Sequence, residues 1–322
     1  MAEREAFREL EDWVNHQVLG QERLVRRLLV ALLADGHLLV EGVPGLAKTR
    51  VIKVLAAGME GEFHRIQFTP DLLPADLIGT EVFHPESGTF VFQKGPIFHN
   101  FVLADEINRA PAKVQSALLE AMAERQVTVG RTTWPLDELF LVMATQNPIE
   151  QEGTYPLPEA QRDRFLLHVR VDYPDVEHEQ QILHLVREQM RAGIKEVRPD
   201  RFHLSRGEIL AARRQVLDLY MAPELERYLV ELVAASRDPS PYDAELGQLI
   251  AYGASPRGSI ALDLASRAHA WLAGRDHVSP EDLFAVVHDA LRHRILLSYD
   301  AEADGVGSDE VVDRMLALVP LP

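Results

Sequence analysis

Cysteine is absent from the chain, which excludes a disulfide framework and any thiolate metal site. A chain without disulfides fits a reducing compartment, so a cytoplasmic location is expected. Long apolar runs are absent too: none approaches the roughly 18–20 residues of a membrane span. The amino terminus, MAEREAFRELEDWV, is charged and amphipathic and carries no apolar leader core. Basic residues are few, 33 against 50 acidic ones, for a formal net charge of −17. A nucleic-acid binder usually shows a basic face, and a field of this sign repels phosphate backbones. Nucleic acid is therefore not an expected partner. The 13 histidines form no H-E-x-x-H or comparable ligand spacing. His288 and His293, five apart, do not share a helical face. No N-K-x-D element for guanine is present.

What is there is a chain of 322 residues, 47% hydrophobic and 26% charged. These are the proportions of a globular protein long enough for two domains. The first half alternates short apolar runs with amphipathic stretches. HLLVEG (37–42), RIQF (65–68), FVLADE (101–106), LFLVMATQNP (139–148) and FLLHVRV (165–171) read as five buried strands. Between them, Val114, Ala117, Leu118, Ala121 and Met122 recur at helical spacing over 113–125. Strands alternating with helices predict an α/β fold with a parallel sheet. Two further segments read as hairpins: TEVF and TFVF around HPESG (80–92), and VTV and TTW around Gly130-Arg131 (127–134). After VDYPD (171–175) the pattern becomes helical. Ser205-x-x-Glu208 is a capping box, and Ser255-Pro256 and Ser279-Pro280 each place a cap before a first-turn proline. The expected division is an α/β domain over 1–173 and a helical domain over 174–322.

The chemistry sits at the ends of the predicted strands. VEGVPGLAKTR (40–50) runs from a strand through Gly42, Val43, Pro44, Gly45, Leu46 and Ala47 into Lys48, Thr49 and Arg50. It matches the phosphate-binding pattern G-x-x-x-x-G-K-[ST] except that Ala47 stands where the second glycine should be. A glycine-rich strand-to-helix turn points backbone N–H groups at an anion. Lys48 would reach the β- and γ-phosphates of a nucleotide, and the Thr49 hydroxyl would ligate Mg²⁺. Because position 47 opens a helix, where alanine is the best helix former, Ala47 is expected at negative, near-helical φ. A second carboxylate strand, FVLADE, supplies Asp105 as the metal partner and Glu106 as the general base for an attacking water. The next strand ends at Asn147, whose amide can orient that water. PEAQRDRF (158–165) holds Arg162 and Arg164, and GASPRGS holds Arg257 in a first helical turn. Arginine supplied by a neighbouring subunit can stabilise a transferring phosphoryl group. Spacing alone does not decide between Arg162 and Arg164.

Taken together these stretches resemble the MoxR family of AAA+ ATPases. VLGQE (18–22), GHLLVEGVPGLAKT (36–49), RIQFTPDLLPADLIGT (65–80), GPIFHNFVLADEINRAPAKVQSALLEAM (95–122), ATQNPIEQEGTYPLPEAQRDRFLL (144–167) and SPRG (255–258) are similar to that family's stretches in order and spacing. The GVPGLAKT form of the loop recurs in the family. The resemblance implies a P-loop AAA+ core with a five-stranded parallel sheet and an all-helical lid. It places Lys48 and Thr49 on the Walker A lysine and threonine, and Asp105 and Glu106 on the Walker B pair. Asn147 falls on sensor one, Arg257 on sensor two and Arg164 on the arginine finger. Many members carry leucine where this chain has Arg162. Val18 to Gln21, Val18 and Leu19 foremost, fall where members touch adenine, and the two hairpins match the helix-two insert and the hairpin before sensor one. ATP and Mg²⁺ are the implied ligands. A hexameric ring, a protein client and a von Willebrand factor A domain partner are the implied associates. The implied activity is ATP-driven, chaperone-like remodelling or maturation of protein complexes, including metal or cofactor insertion. The ATPase subunit of magnesium chelatase is a near relative and a rival reading. A DNA-acting AAA+ motor is disfavoured by the charge, and a non-hydrolysing scaffold by the intact Glu106, Asn147 and arginine set.

Overall fold

The computed structural model of the chain describes residues 2–148, 153–193, 199 and 203–321. Residues 149–152 of the stretch 144–167 therefore lie outside the described residues. All five predicted strands form. They are β1 (Leu38–Gly42), β2 (Phe63–Gln67), β5 (Phe101–Asp105), β8 (Leu141–Gln146) and β9 (Leu167–Val171), in one sheet ordered β2-β5-β8-β1-β9. The pairs β2–β5, β5–β8 and β8–β1 run parallel. Every residue of β5 is buried, as are Leu38, Leu39 and Val40 of β1. Continuous apolar runs are what a parallel sheet covered on both faces demands. The register sets Gln67 opposite Asp105 and Glu41 opposite Gln146. The chemistry-bearing residues thus leave the sheet at the carboxyl ends of adjacent strands, where α/β folds place their ligands.

The helices of this half are α1 (Ala2–Gln17), α2 (Glu22–Leu33), α3 (Lys48–Ala57), a short α4 (Pro74–Ile78) and α5 (Ala112–Glu124). The hairpins are β3 (Gly79–His84) with β4 (Thr89–Lys94), and β6 (Gln126–Val129) with β7 (Thr132–Pro135). The second turns through Gly130 at φ 60°, a value glycine adopts without steric cost. Phe92 of β4 stacks on Trp134 of β7 with ring centroids 4.8 Å apart.

The chain forms two compact units. One comprises Met1–Leu29, His37–Leu157 and Val169–Leu210; the other comprises Val30–Gly36, Pro158–His168 and Ala211–Pro322. These units interleave along the chain, so the compact division does not fall at 173/174. Helix α7 (Val176–Ala192) belongs to the first unit, and the turn with α6 (Glu159–Arg162) belongs to the second. The second unit is built on α9 (Pro223–Ala235), α11 (Pro256–Leu272), α12 (Pro280–Leu291) and α14 (Ser308–Leu318), with α10 (Ala244–Leu249), α13 (Tyr299–Ala303) and the part of α8 (Arg206–Leu217) from Ala211 onward completing the helices. Trp271 and Tyr228 are buried in its core. Ser255 and Ser279 cap α11 and α12 as their sequence signals predict. The region is not wholly helical, because β10 (Ile250–Tyr252) and β11 (Leu296–Leu297) form a minimal antiparallel pair.

Candidate nucleotide site

The loop between β1 and α3 is shaped by two glycines and one alanine. A side chain at Gly42 would place its Cβ 2.8 Å from the Val171 carbonyl oxygen, so only glycine fits there. Gly45 turns the exposed part of the loop at φ 89°, with open space around it. Val43 and Pro44 lead into that turn, and Leu46 is buried beneath it. Ala47 contradicts the near-helical expectation: it lies at φ 56°, ψ 14°, in the left-handed region. Helix α3 starts only at Lys48, and Ala47 is the residue that swings the chain into it. The glycine of the general pattern thus answers a conformational need, and alanine meets that need at a cost of about 1–2 kcal/mol. Among the described residues, the amides of Gly45, Ala47 and Lys48 donate to no protein acceptor. Unpaired amides at a helix start form an anion cradle, so the loop fits a polyphosphate. The Lys48 ammonium donates to the Gly42 carbonyl. Burial pushes its pKa down, opposed by the nearby carboxylates of Asp105, Glu106 and Glu41. Lysine and both carboxylates therefore share one site. Thr49 is half-buried in the first turn of α3.

The two carboxylates are held differently. Asp105 is nearly buried. Its Oδ1 accepts the Thr145 hydroxyl at 2.6 Å, and its Oδ2 accepts Nε and Nη2 of Arg65 at 3.0 and 2.7 Å. Glu106 sits just beyond β5 at φ 58°, a strained conformation of the kind that persists at functional sites. Its amide donates to the Thr145 hydroxyl at 2.9 Å, so one side chain fixes both acidic residues. Its Oε2 accepts Gln67 Nε2 at 2.7 Å and lies 3.2 Å from Arg109 Nε. About a quarter of the Glu106 side chain remains exposed, enough to reach a water. Asn147, one residue past β8, is buried. Arg65, Gln67 and Thr145 were not singled out by sequence. Their only signal was position: RIQF and MATQ lie on the strands that flank FVLADE.

Beside the loop lies a cavity of about 140 Å³ lined by Val18, Leu19, Leu46, Ile182, Leu185 and Val186, with Arg50 at its wall. It is smaller than the roughly 300–1,000 Å³ pockets that enclose whole ligands, and its aliphatic lining suits a flat base. Arg50 donates to the Gln17 carbonyl at 3.0 Å and to Gln189 Oε1 at 2.9 Å. Burial lowers its pKa. Val18 and Leu19 are therefore joined by residues of α7, a helix the sequence pattern assigns to the second domain.

The remaining predicted arginines lie in the second unit, where Asp163 pairs with Arg257 and with a further arginine, Arg294. Its Oδ1 accepts Arg294 Nε at 2.9 Å, and its Oδ2 accepts the Ser255 hydroxyl at 2.8 Å and lies 3.7 Å from Arg257 Nη1. Arg294 also donates to the Phe165, Leu166 and Ala290 carbonyls. Burial pulls its pKa down to about 10 against the pull of Asp163. The stretch bearing Arg162 and Arg164 is thereby tied to the start of α11. Arg162 reaches Glu159 at 3.9 Å, and half of the Arg257 side chain is exposed.

Comparison with known proteins agrees with this geometry. The sequence model of the ATPase family associated with various cellular activities (AAA) matches residues 37–167, and that of the AAA lid domain matches 246–315. The chain is 47% identical to "Chaperone MoxR1" of Mycobacterium tuberculosis over 96% of its own length and 80% of that protein. It is 35% identical to "Protein MoxR" of Paracoccus denitrificans over 98% of this chain and 96% of that one. The crystal structure of a candidate ATPase from Cytophaga hutchinsonii superposes with a TM-score of 0.90 at 46% identity, covering 100% of this chain and 96% of that one. The chain belongs to the MoxR family of AAA+ ATPases.

Proposed function

We propose that the protein hydrolyses ATP and uses the energy to remodel or mature protein complexes. The observation that carries this reading is the convergence of Lys48, Asp105 and Glu106 beside a loop with unpaired amides at Gly45, Ala47 and Lys48. The Lys48 side chain and those amides bind the phosphates. The aliphatic cavity around Val18 and Leu19 takes the base. Glu106 accepts a proton from the attacking water, and Asn147 orients that water. Thr49 and Asp105 are hard oxygen donors that suit Mg²⁺, which when bound neutralises charge on the phosphates. Arg164 acts as the arginine finger and Arg257 as sensor two, so that activity requires an oligomer, a hexameric ring in this proposal. The name of the Mycobacterium relative supports the chaperone reading. A protein client and a von Willebrand factor A domain partner complete it.

The test is phosphate release by Glu106→Gln. Turnover is expected to fall at least about 100-fold while ATP still binds. Turnover at the wild-type rate would show that Glu106 is not the base.

A further inference from the structure

The cluster around Asp105 contains a cation, Arg65, that the proposed chemistry does not use. Arg65 lies on β2 opposite Leu103 of β5, two register positions before Asp105. Its guanidinium leans along the strand and places both Nε and Nη2 on a single oxygen, Asp105 Oδ2. The other oxygen is taken by Thr145. Both oxygens of the expected metal ligand are therefore engaged, and one of them by a full positive charge. A lone pair shared with a guanidinium is poorly available to a second cation, because the two cations repel each other at that distance.

We propose that Arg65 is the resident counter-ion of Asp105 and competes with the divalent cation for Oδ2, so that it sets how tightly the metal is held. This rests on Asp105 being the metal ligand. The asymmetry of the pair says which partner yields. Asp105 is only 13% exposed and is pinned by Thr145, whereas Arg65 is 49% exposed and has an open path to solvent. Arg65 also has a second foothold, since its Nη2 lies 2.7 Å from Gln67 Oε1. Charge balance points the same way. Lys48, Arg65 and Arg109 face Asp105, Glu106 and Glu41. Three cations against three anions leave no deficit for a divalent ion to fill. Phosphate oxygens supply that deficit on loading, and the divalent ion still has to displace Arg65 from Oδ2. Arg65 is thus a positioning residue whose hold on Oδ2 opposes the metal in the loaded site.

The experiment titrates Mn²⁺ into protein pre-loaded with a metal-free, non-hydrolysable ATP analogue and reads free Mn²⁺ by electron paramagnetic resonance. Arg65→Gln is expected to bind Mn²⁺ about two- to fivefold more tightly than wild type, the size of a half-exposed ion pair. Arg65→Lys, which keeps the charge but loses the paired N–H donors, should fall between them. Affinity for the analogue in chelator should be unchanged in both variants. Asp105→Asn serves as the control and should weaken Mn²⁺ binding tenfold or more. Weakened binding in Asp105→Asn with unchanged or weaker binding in Arg65→Gln would overturn the proposal and leave Arg65 a structural residue. Wild-type binding in Asp105→Asn would instead overturn the assignment of Asp105 on which the proposal rests.

Discussion

Ala47 is the residue where sequence and structure part most clearly. Helix propensity predicts an ordinary φ, but the turn requires a left-handed residue at 47, whichever side chain stands there. Propensity is a local preference, and the closure of β1 onto α3 overrides it. Ala47→Gly removes a left-handed penalty of about 1–2 kcal/mol but adds unfolded-state entropy of about 0.4–1 kcal/mol. The variant should therefore be more stable by roughly 0.5–1 kcal/mol, visible as a higher denaturant midpoint. A lower midpoint would mean that the alanine methyl makes contacts worth more than the strain. The same limit hid Arg65, Gln67 and Thr145. Asp105 and Glu106 stand out as an acidic pair ending an apolar run. Their partners are ordinary polar residues on neighbouring strands, and only the register of β2 and β8 against β5 brings them together.

Strands and caps were legible because each rests on residues close in sequence. β1, β2, β5, β8 and β9 all fall on the five apolar runs, and Gly130 marks its hairpin turn. The allegiance of α7 was not legible. Its amphipathic period says that one face is covered but not by which core, and Ile182, Leu185 and Val186 line the cavity of the first unit. The hairpins divide into supporting and free faces. Phe92 stacks on Trp134 and lies 5.7 Å from Phe98, whereas Phe83 and Phe90 are 50% and 68% exposed. Phe92→Ala should cost about 1–2 kcal/mol, and Phe83→Ser less than about 0.5 kcal/mol. Equal losses in thermal unfolding would contradict this division. In α12, Asp282 closes the capping box with Ser279 and accepts His269 and Arg275. Burial opposes its ionisation, but those hydrogen bonds win and hold its pKa at about 2, below the ordinary 3.8. A depressed carboxylate contributes stability above its ordinary pKa and loses it as pH falls through the folded value. Asp282→Asn should cost on the order of 2–3 kcal/mol at pH 6. The gap from wild type should narrow as pH drops from 5 toward 3. A gap independent of pH would show that the Asp282 charge is not what stabilises α12.

At the scale of the whole molecule, the net charge of −17 sets the partners apart. A field of that sign disfavours phosphate polymers, and in the proposed function ATP is captured locally by Lys48 and the loop amides. The charge excess and the family stretches were legible directly, since neither depends on folding. What completes the proposed site was legible only as a need for arginine, and in the proposed function that need makes oligomerisation part of the chemistry. In the second unit Asp163 ties the stretch holding Arg162 and Arg164 to the start of α11, near Arg257. The central claim is that each nucleotide site is finished by an arginine from a neighbouring subunit. It is tested most directly by mixing two inactive proteins: Glu106→Gln, which keeps Arg164 but lacks the base, and Arg164→Ala, which keeps the base but lacks the finger. Each alone should release phosphate at least about 100-fold more slowly than wild type. Co-assembled subunits should regain measurable turnover, because Arg164 of one completes the Glu106 site of the other. Full activity of Arg164→Ala alone, or no recovery in co-assembled mixtures, would contradict the account.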